Sequence, residues 1–195
     1  MFVYRTSCGE TGCIDTERSD YYKNITKEWF VADSIKYRDI VDDTGFSQTL
    51  LKVSCNTFVV EDACSDDCGA SYNRFMYSVG FRTSVSPYSF SVDISSGCIT
   101  NWENKNQFTL KVMISNTITG ASKAATYDIV TKENIEKNAS IKYFEDYILD
   151  VELKGVLEIT FNRISNLSNI KTVLYAKGNG IVMFIDGNGN RYMVR

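Results

Sequence analysis

Apolar and polar residues alternate with a period of two over most of this chain. "PYSFSVDIS" (87–95) sets Tyr88, Phe90, Val92 and Ile94 against Ser89, Ser91, Asp93 and Ser95. "QFTLKVMIS" (107–115) likewise sets Phe108, Leu110, Val112 and Ile114 against a more polar face. Successive side chains of a strand point to opposite faces, so each stretch predicts a strand with one face buried. The same reading fits "SIKYRDIV", "SQTLLKVS", "YNRFMYSVGF", "ATYDIV", "YILDVEL", "VLEITFN", "NIKTVLYA", "GIVMFI" and "RYMVR", for about eleven strands in all. "DDTG" (42–45), "GASKA" (120–124), "KGNG" (177–180) and "DGNGN" (186–190) supply the Gly and Asn that tight reversals need. The chain therefore reads as an all-β meander of about ten to twelve antiparallel strands, in a curved sheet or flattened open barrel, because that many strands do not stay flat.

Two stretches compete as helices. "TERSDYYKNITKEWF" (16–30) has charged residues and Thr or Asp caps, and "TKENIEKNASIKYFEDYIL" (131–149) opens on a capping-box-like segment with Glu133 one position early. At most one or two short helices are expected. The one proline, Pro87, starts its strand, where a missing N–H is tolerated. No linker, repeat or low-complexity tract divides the chain. It reads as one β-rich domain over 1–195, with residues 1–25 irregular and clipped by a disulfide.

Composition narrows the function classes. With 44% hydrophobic and 13% aromatic residues, 195 residues can bury a substantial core. The formal net charge is −3, from 21 basic and 24 acidic residues scattered along the chain, so the electrostatic footprint of nucleic-acid binding is missing. No apolar run approaches the roughly 18 to 20 residues of a membrane-spanning helix. "MFVYRTSCGETGC" lacks a basic-then-apolar signal region, and Met1 directly before so ordinary a segment would suit a leader or lipid-anchor segment having been removed.

The six cysteines, Cys8, Cys13, Cys55, Cys64, Cys68 and Cys98, all lie in the first half. Structural zinc sites usually present CxxC pairs with a second such pair or two histidines. Here four residues separate Cys8 from Cys13, eight separate Cys55 from Cys64, three separate Cys64 from Cys68, and the chain has no histidine. Disulfides in an oxidising compartment are favoured over buried thiols or metal, with 15 pairings possible for six cysteines. Cys8–Cys13 and Cys64–Cys68 suit local clips, with Cys55–Cys98 left as the bridge across strands. The sequons at Asn24, Asn138 and Asn166 add little in a chain so rich in Asn, Ser and Thr.

The absence of histidine removes the commonest general base, the Ser-His-Asp and Cys-His nucleophile systems and most catalytic zinc sites. Carboxylate-pair hydrolysis survives that test. "FIDGNGNRYMV" (184–194) spaces Asp186, Asn188 and Asn190 like the start of a calcium loop, but such a loop wants Gly sixth and Glu twelfth; Arg191 stands sixth, and the flanks read as strands. A hairpin turn is favoured, and Asp186→Asn is expected to cost little, since Asn tolerates the same geometry. "VVEDACSDDCG" gathers Glu61, Asp62, Asp66 and Asp67 around two cysteines and reads as a solvated acidic loop. Ser168 and Lys171 form Ser-x-x-Lys without the motifs that accompany that chemistry. Tyr72, Phe75, Tyr77, Phe81, Tyr88 and Phe90 read first as core and cross-strand pairs. No catalytic, cofactor-binding or metal-binding residue is assigned.

"NIKTVLYAKGNGIVMFIDGNGNRYMVR" resembles the C-terminal end of many secreted bacterial lipoproteins of unknown function, and "FVADSIKYRDIVDDTGFSQTLLKV" resembles their N-terminal hairpin. The resemblance implies an exported protein, in the periplasm, at the cell surface or outside the cell, meeting a membrane only through a lipid on a cysteine upstream of residue 1. It transfers no catalytic residue. The expected function is a non-enzymatic binding module for a hydrophobic molecule, a glycan or a protein, using the concave face of the sheet; the alternative is a carboxylate-dependent glycan hydrolase. In either case residues 170–195 are expected to be structural, with Leu174, Ile181, Met183 or its neighbours Val182 and Phe184, and Tyr192 in the main core.

Overall fold

The computed structural model describes residues 24–25, 27–31, 35–65, 71–95, 108–135, 137–162 and 169–195, with only the backbone described at 58–65 and 71–75. Twelve strands follow one another: β1 (Tyr37–Asp42), β2 (Ser47–Ser65), β3 (Ser71–Thr83), β4 (Tyr88–Ser95), β5 (Thr109–Asn116), β6 (Ser122–Asp128), β7 (Glu133–Asn134), β8 (Ala139–Ile148), β9 (Glu152–Phe161), β10 (Ile170–Ala176), β11 (Gly180–Asp186) and β12 (Arg191–Val194). All pair antiparallel in one sheet, ordered β7-β6-β5-β4-β3-β2-β1-β12-β11-β10-β9-β8. The sheet is a meander wrapped into a nearly closed barrel. The first and last strands pair through Ile40 and Val194, and the remaining seam lies between β7 and β8, which are consecutive in the chain. Side chains stitch that seam: Asn134 Nδ2 donates to the Ala139 carbonyl, and Asn138 Nδ2 to the Ala124 carbonyl at 3.3 Å.

The period-two pattern is what fills the barrel. Register places Tyr77, Ile94, Leu110 and Tyr127 side by side across β3 to β6, with Val79, Val92, Val112 and Ala125 in the next row. These rows are buried and join Leu157, Ile159, Val173, Tyr175 and Phe184 from the other half in one core. At about 1.5 to 3 kcal/mol for each large side chain buried, the rows supply the main drive to close the sheet. In the third row Lys123 replaces an apolar residue and reaches across to donate to the Ile170 carbonyl at 2.8 Å, which ties β6 to β10.

Several expectations need correction. The described residues of 131–149 are not helical: they form a turn, β7 and the whole of β8. "YILDVEL" (147–153) is not one strand but the reversal joining β8 to β9. "VVEDACS" continues β2 as strand, so the acidic stretch is not a loop as far as Ser65, and β2 and β3 run on past β4, whose end pairs Ser95 with Met76. The turn near residue 120 falls at 117–120, with Gly120 at φ +71°.

Residues 170–195 are structural, though divided between two cores. Ile181 and Phe184 face the barrel interior with Tyr192 packed beside them, whereas Leu174, Val182 and Met183 form an outer cluster with Leu153, Val156 and Ala176. A bulge explains the split: Leu174 pairs with Met183 and Tyr175 with Ile181, so Val182 is the extra residue and joins Met183 on the outer face.

Candidate ligand-binding cleft

One end of the barrel, beside the β6–β7 and β10–β11 turns, is filled by a segment outside the sheet. Asn24, Ile25 and Lys27 are helical, and the chain then inserts Trp29, Phe30 and Val31. Trp29 and Val31 are each 2% exposed and belong to the core. Trp29 stacks on Tyr175 with centroids 6.2 Å apart, and Phe30 on Tyr77 at 4.1 Å. Tyr77 binds Val31 in both directions: the Val31 amide donates to its hydroxyl at 3.1 Å, and the hydroxyl lies 3.3 Å from the Val31 carbonyl. Tyr175, from the opposite half, donates to the Trp29 carbonyl. Gly180 leaves the room this needs, since a Cβ there would stand 2.8 Å from Val31 Cγ2.

Between this segment and the β7–β8 seam lies a cleft of about 470 Å³. Its inner wall carries Trp29 and Tyr127; Tyr143, Ile129 and Val130 line its sides, and Glu28, Lys132, Glu145 and Lys177 its rim. The rim is cross-linked. Lys177 Nζ meets Glu28 Oε2 at 2.9 Å and lies 5.2 Å over the Trp29 ring. Tyr143 donates to Glu145 Oε2 at 2.8 Å, and Lys132 Nζ lies 4.7 Å over the Tyr143 ring. With two cations and two anions the rim is formally neutral.

The inner wall differs in one respect. Trp29 Nε1 and the Tyr127 hydroxyl are buried with no hydrogen-bond partner among the described residues. A buried donor left unmatched costs about 1 to 3 kcal/mol, so such groups are rare and need an explanation. Burial, then the negative fields of Tyr143 and Asp128, raises the Tyr127 hydroxyl well above the usual tyrosine range. Burial, then the bond to Glu145, pushes Tyr143 up to about 12. Both phenols therefore stay protonated at neutral pH.

The residues singled out by sequence lie elsewhere. Cys8, Cys13, Cys68 and Cys98 fall outside the described residues, as does the Cys64 side chain; Cys55, half-buried on β2, has its Sγ 3.8 Å from the Tyr77 hydroxyl. Asp66, Asp67 and Ser168 are outside too, and so are the side chains of Glu61, Asp62, Tyr72 and Phe75, while Lys171 is exposed on β10. Tyr77, Phe81 and Phe90 are core, and Tyr88 is half-buried. Asp186 is 4% exposed. Its Oδ1 accepts the amides of Asn188 and Asn190, each at 2.9 Å, and its Oδ2 accepts Asn190 Nδ2 at 2.9 Å and the Tyr192 hydroxyl at 3.4 Å. "DGNGN" is a hairpin turn whose carboxylate is fully engaged in holding the turn.

Sequence reasoning did not find the cleft. Its one local signal is "WFV" (29–31), an apolar run beside polar segments that overlaps the end of the helix candidate 16–30. The fold and cleft define a class, an up-and-down β-barrel nearly closed on itself and stoppered at one end. No family model, curated protein or solved structure matches the chain.

Proposed function

We propose that the protein is an exported, non-enzymatic binding module of the cell envelope or surface, and that the cleft beside Trp29 takes a neutral, hydroxyl-rich ligand such as a sugar unit of a glycan. The observation that carries this reading is that two residues lining one cleft, Trp29 and Tyr127, each hold a buried polar atom, Nε1 and the hydroxyl, with no partner among the described residues. An indole N–H asks for an acceptor, and a protonated phenol both donates and accepts, which is what a hydroxyl offers. The formally neutral rim favours an uncharged ligand. The volume lies within the range of about 300 to 1,000 Å³ for small-molecule sites. The concave face of the sheet is largely taken up by the core, which leaves the stoppered end as the place for a ligand within the barrel. Export is supported by six cysteines without zinc-type spacing and by the resemblance of both terminal hairpins to secreted lipoproteins. The hydrolase alternative gains nothing from the cleft, where Glu28 is paired with Lys177 and Glu145 is bound to Tyr143.

Titration calorimetry against a panel of neutral mono- and oligosaccharides tests the reading. At least one should bind, and Tyr127→Phe should weaken it about tenfold, the worth of one hydrogen bond to a buried group. An equal affinity in Tyr127→Phe, or no binding across the panel, would contradict it.

A further inference from the structure

A second cavity lies outside the barrel. The β8–β9 hairpin does not continue the curve of the sheet: Gly155, at φ +59°, kinks β9, and the hairpin folds back over β10 to β12. Its tip is pinned there by the pair Asp150–Arg195. Between the hairpin and the ends of β1, β11 and β12 runs a groove of about 520 Å³, lined by Leu149, Val151, Leu153, Val182 and Met193. Val151 and the neighbouring Ile148 remain 63% and 80% exposed, so the hairpin tip presents apolar surface that nothing in the chain covers among the described residues.

At the margin of this apolar groove stands Arg38. It is half-buried, donates to Asn179 Oδ1 at 3.3 Å and makes no ion pair among the described residues. Arg195, across the groove, is already paired with Asp150. A guanidinium carries five donors in a fork that fits a carboxylate, and one without an anion beside a greasy channel is half of a recognition site. We propose that the groove binds a free long-chain carboxylate, with the hydrocarbon chain along Leu153, Val182 and Met193 and the headgroup on Arg38. One unpaired cation and one channel of this size match a single chain with a small head.

Displacement of a fluorescent fatty acid tests this, with dodecanoate, its methyl ester and phosphatidylglycerol vesicles as competitors. Dodecanoate should displace the probe, and the ester should do so about tenfold less well, because it keeps the chain and loses the charge. Arg38→Gln should bring acid and ester to the same affinity, Val151→Glu should weaken both, and Tyr127→Phe should change neither. The last variant separates this site from the stoppered cleft. Equal competition by acid and ester in the parent protein, an Arg38→Gln variant that still separates them, or displacement by vesicles alone would overturn the proposal.

Discussion

Asp42 and Asp186 do the same job at two corners of the barrel. Asp42 Oδ1 accepts the amides of Thr44 and Phe46, two and four residues on, each at 2.9 Å, as Asp186 Oδ1 accepts those of Asn188 and Asn190. Asp in such turns was legible, because Asp-x-x-Gly between apolar runs has a mechanism. What the pattern hid was the burial of Asp186 and the use of its second oxygen. Asp186→Asn would place an amide NH₂ against Asn190 Nδ2, donor facing donor. It should therefore cost about 1 to 3 kcal/mol, not the small amount that turn chemistry alone implies. Urea denaturation of the variant checks this, and an unchanged midpoint would refute it. The tyrosines give a second test. Burial raises Tyr127, Tyr143 and Tyr175, the middle one to about 12. An unfolded chain would release these protons near ~10. Stability is then fully present below that pH and falls as pH rises through the folded values, since the unfolded state binds fewer protons there. Urea midpoints should drop above about pH 10 while tyrosinate absorbance lags behind free tyrosine. A flat stability profile would contradict the assignment.

Among the elements, strands whose two faces differ were the legible ones: β4 and β5 fall within a residue or two of the alternation that predicts them. β8 was harder. Ala139, Ile141 and Tyr143 alternate with Ser140 and Lys142, yet Phe144 and Tyr147 serve the outer cluster, and that change of face spoils the period and resembles a helical stripe. β11 reads as uniformly apolar because a bulge and two cores bury nearly all of it. The β8–β9 hairpin depends on Gly155 twice over. Its φ is +59°, and a Cβ there would stand 2.5 Å from Lys177 Cδ, in the chain that reaches Glu28. Left-handed backbone at a non-glycine residue costs about 1 to 3 kcal/mol, so Gly155→Ala should lose at least that much in a thermal or urea melt. Full retention of stability would show that the kink is not required.

For the whole molecule, the strand order makes one junction decisive. β11 and β12 stand between β10 and β1, so they join the N-terminal strands to β8–β10. Truncation after Ala176 would do more than expose one edge. It would part the sheet in the middle and strip Ile181, Phe184 and Val194 from the core. Three buried side chains at about 1.5 to 3 kcal/mol each consume much of a typical 5 to 15 kcal/mol stability, so the truncated chain should lose its cooperative unfolding transition. Ring closure could not be read from sequence, because the strand that closes the ring on β1, β12, and the Tyr175 that holds the Trp29 carbonyl each lie more than a hundred residues away. The cleft inherits that difficulty: Trp29, Tyr127, Tyr143 and Lys177 meet only when the sheet has wrapped.

The proposed binding function rests on Trp29, whose buried Nε1 would become a donor to a ligand entering that cleft. The chain has two tryptophans, Trp29 and Trp102, so a nitrogen–proton correlation spectrum carries two indole peaks, assigned by Trp29→Phe. On saturation with the best-binding neutral saccharide, the Trp29 indole peak should move downfield and exchange more slowly with solvent. A Trp29 peak that does not respond while the saccharide binds would contradict the account.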